Sequence, residues 1–311
     1  YEILRCLVGS EMCIRDRGVS LIGDLPIYVS LDSADVWAER KEFLLDQTGR
    51  PSKVAGVPPD YFSQEGQLWG NPLYDWRVQK ADGFGWWIRR VDGAARLYDV
   101  IRIDHFRGFA SYWAVPYGSS TAKTGRWVKG PGLDLLNVLT GWFHGIRFIA
   151  EDLGEPSPDV TKLLADSGLP GMRVLEFAFS PTADSAYLPH NCVENCVCYA
   201  GTHDNAPLAL WRQEAEPDEI DFAVQYLGLN EREGFNRGVL RGGMTSPASL
   251  FVAQMQDWLE LGKGSRINTP GTDRDNWQWR LLPGELTVKL IGDIREMTRI
   301  YGRLPAKQSK T

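Results

Sequence analysis

The segment Val100–Gly108 reads VIRIDHFRG and ends an apolar run with four titratable side chains, Arg102, Asp104, His105 and Arg107. Strand residues alternate faces, so Arg102 and Asp104 share one side while Ile101 and Ile103 take the other. An arginine beside an aspartate favours the ionised carboxylate, which suits a nucleophile better than an acid. Read alone, the motif fits a structural ion pair equally well. Two further apolar runs end in carboxylates: RFIAEDLGE at Glu151 and Asp152, and CYAGTHDNAP at His203, Asp204 and Asn205. Glu151 and Asp152 are adjacent and face opposite sides, so only one of them leads into a common site. Unpaired buried carboxylates cost several kcal/mol each, so a succession of acidic strand ends needs a chemical reason. Retaining glycosidic chemistry supplies one. It uses an ionised carboxylate as nucleophile and a protonated one as acid and then base, about 5–5.5 Å apart. Like-charge repulsion from the neighbouring carboxylates is the expected source of the acid's raised pKa.

Short apolar runs alternate with helical periods, as a parallel sheet with βαβ connections requires. Strands are expected in VSLIGDLPIYV, VIRID, IRFIAEDLG, RVLEFAF and CVCYAGTHDN. Helices are expected in GFGWWIRRVDGAARLYD, GLDLLNVLTGWF and SPDVTKLLADSG, the last with Ser157 as N-cap, Pro158 at N1 and Gly168 past its end. By the same cap logic SPASLFVAQMQDWLELG reads as a helix starting at Ser246 and Pro247 and ending at Gly262. No glycine-rich phosphate loop follows any strand, which disfavours an open doubly wound sheet. Polar clusters at strand ends favour a (β/α)8 TIM barrel, whose site lies at the carboxyl ends of its strands. Residues 47–76 are rich in Gly and Pro, lack a clear period, and read as a long active-site loop insertion.

Composition closes other routes. The net charge of -6 and the absence of a Lys/Arg cluster exclude a nucleic-acid footprint. No apolar run reaches the length of a membrane span, and the first residues do not form a secretory signal, so a cytoplasmic home is expected. Cys192, Cys196 and Cys198 match no zinc spacing and read as reduced thiols. Twelve tryptophans, many beside Gly, Asn, Asp or Pro, offer flat faces for a polar ring such as a sugar, although core packing suits any one of them.

Six ordered blocks, GDLPIYVSLDSADVW, GVPPDYFSQEGQLWGNPLYDW, RIDHFRGF, IAEDLG, GTHDN and RINTPGT, resemble those of the 4-α-glucanotransferases, the amylomaltases or disproportionating enzymes of glycoside hydrolase family 77. The resemblance runs from about Gly18 to Leu282. RIDHFRG and GTHDN alone point only to the wider α-amylase clan; the second block singles out the amylomaltases. The resemblance implies transfer of α-1,4-glucan segments between maltooligosaccharides by double displacement, without a cofactor or metal. It makes Asp104 the nucleophile, Glu151 the acid/base and Asp204 the carboxylate stabilising the transition state. Arg102 would hold the nucleophile ionised, and His203 would bond the sugar at the point of cleavage. Asp32 and Asn268 match substrate-binding positions, and Tyr61, Phe62, Gln67 and Trp69 lie in a loop that closes over the glucan. An α-amylase-type hydrolase and an inactive glucan-binding fragment are the alternatives. A plant source would move the expected compartment from cytoplasm to plastid.

The family's chain starts well before Gly18. Residues 1–17 are therefore expected to be a non-native lead-in, 18–304 the catalytic barrel without its first two strands, and 305–311 a tail. A barrel so truncated would expose two strand edges, and the chain alone is expected to be unstable or inactive.

Overall fold

The structure, a computed structural model, describes residues 14–59, 63–154, 157–181, 184–272 and 274–304. The chain divides into two compact units, Tyr1–Gly171 and Met172–Thr311.

In the first unit, in chain order, lie β1 (Ile22–Leu25), α1 (Ala34–Ala38), β2 (Lys53–Val57), β3 (Gln67–Pro72), α2 (Trp76–Ala81), α3 (Gly85–Ala95), β4 (Val100–Ile103), α4 (Arg107–Ala110), β5 (Ser111–Pro116), β6 (Arg126–Lys129), α5 (Leu133–Trp142), β7 (Arg147–Ala150) and α6 (Pro158–Ser167). β4 is the central strand of a parallel sheet, paired with β1 on one side and β7 on the other. All four residues of β4 are buried, Arg102 included. Ile101 and Ile103 join a core that holds Trp87 and Val91 from α3, Leu135, Leu136 and Leu139 from α5, and Phe106 and Phe109. Gly23 is required in β1 because a Cβ there would lie 2.0 Å from the Tyr98 ring.

The described residues of this stretch, 47–59 and 63–76, hold more regular structure than their lack of a period suggests. They contain β2 and β3, which join β5 and β6 in an antiparallel sheet of order β3-β2-β5-β6. A register shift between Val54 and Gly56 and the exposed face of β3 interrupt the alternation that would have marked these strands.

The second unit contains β8 (Gly171–Val174), β9 (Cys196–Tyr199), α7 (Leu208–Glu214), α8 (Pro217–Leu227), α9 (Phe235–Thr245), β10 (Leu250–Val252), α10 (Met255–Trp258) and α11 (Val288–Ile300). Its sheet order is β10-β9-β8, with β10 parallel to β9. The expected strand over RVLEFAF stops at Val174 and turns into a 3-10 helix over Leu175–Phe177, which tucks Leu175 and Glu176 inward. The helix expected from Ser246 to Gly262 does not form. Ser246 ends α9 instead, its hydroxyl donating to the Gly243 carbonyl (2.8 Å), and Leu250–Val252 pairs with Val197–Tyr199. The Ser-Pro pair does punctuate the chain, but it marks an end rather than a start. Cys192, Cys196 and Cys198 are free, buried thiols around β9.

Candidate active site

β1, β4 and β7 end together, and their carboxyl ends carry the first group of site residues. Asp104 N–H donates to the Leu25 carbonyl (3.1 Å) and Glu151 N–H to the Ile103 carbonyl (3.0 Å), so each residue is the first past its strand. Asp24 of β1 lies directly opposite Arg102 in register. The Arg102 guanidinium spans both acids, with Nη1 2.6 Å from Asp24 Oδ1 and 2.9 Å from Asp104 Oδ1. Its side chain is only 10% exposed, whereas the two carboxylates are about 40% exposed. Burial alone would lower the Arg102 pKa, but Asp24, Asp104 and Glu151 outweigh it and raise it further. Asp24 as a second anchor for this arginine does not follow from the motif; only the strand pairing reveals it.

Glu151 is the member of the Glu151–Asp152 pair that turns toward Asp104. Its Oε2 accepts from the His105 backbone N–H (2.7 Å) and its Oε1 from that of Leu153 (3.0 Å). The carboxyl is pushed up to about 8, chiefly by burial and also by the Asp104 charge, against the lowering effect of Arg102 and the two amides. Like-charge repulsion is the cause expected from the motifs; desolvation is the larger one. His105 adopts φ 50°, a left-handed conformation costly for a residue with a Cβ, and this turn aims its N–H at Glu151. Burial pushes the His105 imidazole down to about 4, so it is neutral at working pH.

The antiparallel sheet reaches this group through β3. The Trp69 ring stands edge-on to His105, centroids 4.7 Å apart, and its Nε1–H donates to Gln67 Oε1 (3.1 Å). Asn71 ties β3 to the loop after β1 by donating to the Val29 carbonyl (2.9 Å). Asp32, exposed ahead of α1, accepts from Ser30 Oγ (2.5 Å) and makes no bond to these groups among the described residues. Tyr61 and Phe62 lie outside the described residues.

In the second unit the turn after β9 gathers three expected residues. Asp204 Oδ1 accepts from Asn268 Nδ2 (2.6 Å) and lies 3.4 Å from His203 Nε2. The Asn268 N–H donates to the His203 carbonyl (3.2 Å), and Arg266 donates to the Asp204 carbonyl (2.8 Å). Trp277 packs its ring against His203 at 5.2 Å, although it is 56% exposed and sits at φ 62°. Its place in DNWQWR, between polar residues, is the signal available in the sequence. No cluster of three or more potential metal-ligating side chains occurs among the described residues. No helix among them is long and apolar enough to cross a membrane.

Comparison with known proteins agrees with this architecture. The family model of glycoside hydrolase family 77, described as 4-alpha-glucanotransferase, matches residues 5–286. A 4-alpha-glucanotransferase of Clostridium butyricum is 46% identical over 289 residues, covering 92% of this chain and 59% of the relative. The chloroplastic/amyloplastic enzyme of Solanum tuberosum is 45% identical over 293 residues, covering 93% of this chain and 51% of that one. An amylomaltase from Streptococcus agalactiae, solved in complex with acarbose, superimposes with a TM-score of 0.92 at 38% identity, covering 97% of this chain and 61% of that one. The chain thus spans just over half the length of these curated relatives. Its α/β fold is that of the amylomaltase.

Proposed function

The chain belongs to glycoside hydrolase family 77, the 4-alpha-glucanotransferases, and from that membership we propose that it moves α-1,4-glucan segments between maltooligosaccharides by a retaining double displacement. The observation that carries this reading is the pairing of two unlike carboxyl groups. Asp104 is ion-paired to a buried guanidinium, and Glu151, at the end of the neighbouring strand, holds a proton near neutrality.

Asp104 attacks the anomeric carbon while Glu151 gives its proton to the departing glycosidic oxygen, releasing the shorter glucan and leaving a glucosyl ester on Asp104. Glu151 is then a carboxylate, stabilised by two backbone N–H groups and the field of Arg102. An acceptor sugar hydroxyl loses its proton to Glu151 as its oxygen displaces the ester, so the new bond keeps the original configuration. A group with a pKa near 8 gives and takes a proton at neutral pH with little penalty either way. Asp204 takes the role of stabilising the positive charge on the sugar, with His203 and Asn268 binding its hydroxyls. Asp32, Tyr61, Phe62, Gln67 and Trp69 bind the glucan, and the covering loop excludes water so that transfer prevails over hydrolysis. The reaction uses no cofactor. The chain works in the cytoplasm, or in a plastid if its source is a plant.

Products from maltotriose test the proposal. Glucose together with maltodextrins longer than maltotriose supports transfer. Rising reducing ends without longer products would mean hydrolysis, and no change would mean that this chain does not act on its own.

A further inference from the structure

We propose that the His105 imidazole is a positioning group that ties Trp69 to Glu151: seated against Trp69, it holds the left-handed turn whose N–H grips the Glu151 carboxyl. The proposal rests on the functional reading above, which makes Glu151 the acid/base and Trp69 a glucan contact. That reading leaves the histidine next to the nucleophile without a task.

Glu151 is fastened to the end of β4 at three points. Its N–H donates to the Ile103 carbonyl (3.0 Å), its carbonyl accepts from the Phe106 N–H (3.0 Å), and its Oε2 accepts from the His105 N–H (2.7 Å). Of these, only the His105 N–H reaches the carboxyl. The Gly108 N–H closes the turn on the His105 carbonyl (2.9 Å). The turn needs φ 50° at His105, where a right-handed backbone is the default for a residue with a Cβ. Rotation about the N–Cα bond swings the N–H and the Cβ relative to each other, so a ring fixed in place fixes the direction of the N–H. The Trp69 ring stands edge-on to His105 at 4.7 Å and 77°, and Tyr28 stands edge-on to Trp69 at 6.2 Å. The imidazole also lies against the first turn of α4: a Cβ at Gly108 would stand 3.4 Å from His105 Cδ2.

The ring acts by its shape. Burial pushes the imidazole down to about 4 against the raising effect of Asp104, so at neutral pH it has no charge to lend to Glu151. The charged groups facing Glu151 are Arg102 and Asp104, and those facing His105 are Asp104 and Arg107. None of them lies on β3, so a substitution of Trp69 changes no charge beside Glu151 and reaches it through the His105 ring.

The titration midpoint of Glu151, about 8 in the parent, reports on its N–H donors, because losing one raises it. It is read in the purified chain without substrate from the carbon-13 NMR signal of the Glu151 carboxyl, identified by its absence in E151Q. W69A in the parent is expected to raise the midpoint by about half a unit or more, as the unseated turn relaxes. In H105N the same substitution should leave the midpoint in place, since asparagine takes the left-handed conformation without a ring to hold it. H105A and H105N both lack the ring; H105A, without that preference, should titrate about one unit or more above H105N. The proposal is overturned if W69A leaves the parent's midpoint unmoved, or lowers it as water entering beside Glu151 would. A rise at least half as large in H105N overturns it too, as do equal midpoints in H105A and H105N. Where W69A or H105N does not fold, W69L or H105G takes its place with the same outcomes, since glycine accepts the left-handed turn. If the parent chain transfers no glucan from maltotriose, the functional reading falls, and the midpoints still decide the positioning role.

Discussion

Replacing Glu151 by glutamine changes how stability depends on pH, and the size of the change follows from the site. The carboxyl moves from an ordinary 4.5 in the unfolded chain to about 8 in the folded one. Below pH 4.5 both states hold the proton and no stability is lost. Between 4.5 and 8 the unfolded chain releases it and the folded chain keeps it, so stability falls as pH rises through this window and then levels off. Integrating from pH 5 to pH 9 gives about 4 kcal/mol lost from this one group. A glutamine side chain cannot titrate, so the difference in unfolding free energy between E151Q and the parent moves in favour of the variant by about 4 kcal/mol over that range. A constant offset accompanies it. Both Glu151 oxygens accept from backbone amides, and the variant's amide nitrogen leaves one of those N–H groups unpaired, a cost of about 1–3 kcal/mol at every pH. E151Q is therefore less stable than the parent at pH 5 and more stable at pH 9. Denaturant unfolding at pH 5, 7 and 9 measures this without substrate or activity. A difference that stays constant within about 1 kcal/mol over the range, or that moves the other way, refutes the desolvated, proton-holding Glu151 and with it the acid/base assignment.

Arg102→Met leaves Asp24 and Asp104 facing each other without their shared cation. Water reaches both carboxylates, so the stability loss is modest, about 1–3 kcal/mol by denaturation at pH 7, while transfer from maltotriose falls by about 100-fold or more. Trp69→Ala removes the edge contact to His105 and an exposed aromatic face; steady-state kinetics on maltotriose should show KM raised about tenfold with kcat less affected. Cys192, Cys196 and Cys198 should resist a thiol reagent until denaturant is added, as peptide mapping of labelled chain would show, because all three are at most 5% exposed.

The chemistry is more legible in the sequence than the frame that holds it. Arg102, Asp104 and Glu151 stand out because charged residues directly after β-branched runs are rare, and the period of 2 assigns their faces. Alternation narrows the choice between Glu151 and Asp152 without making it; two backbone donors make it, one of them on a residue in a left-handed conformation that no pattern announces. Asp24 carries no signal of its role, since its partner lies 78 residues away across a strand pair. β2 and β3 hide in a Gly- and Pro-rich stretch because they belong to an antiparallel sheet with one exposed face and a register shift. α9 is obscured by Gly238, Gly242 and Gly243, which read as breakers. They are there because neighbours pack onto the helix backbone: a Cβ at Gly243 would meet the Phe251 ring at 2.1 Å. That same packing explains why 246–262 cannot continue as helix, since Phe251 belongs to β10.

Trapping the covalent intermediate tests the central claim most directly. In the proposed mechanism E151Q lacks the base that activates the acceptor, so a maltosyl fluoride, whose leaving group needs no acid, should load the chain faster than the sugar can leave. Peptide mass spectrometry is expected to find the maltosyl adduct on the peptide containing Asp104, and to find none when Asp104→Asn is added to E151Q. An adduct on another residue, or a folded E151Q that consumes the fluoride without ever carrying one, would contradict double displacement through Asp104.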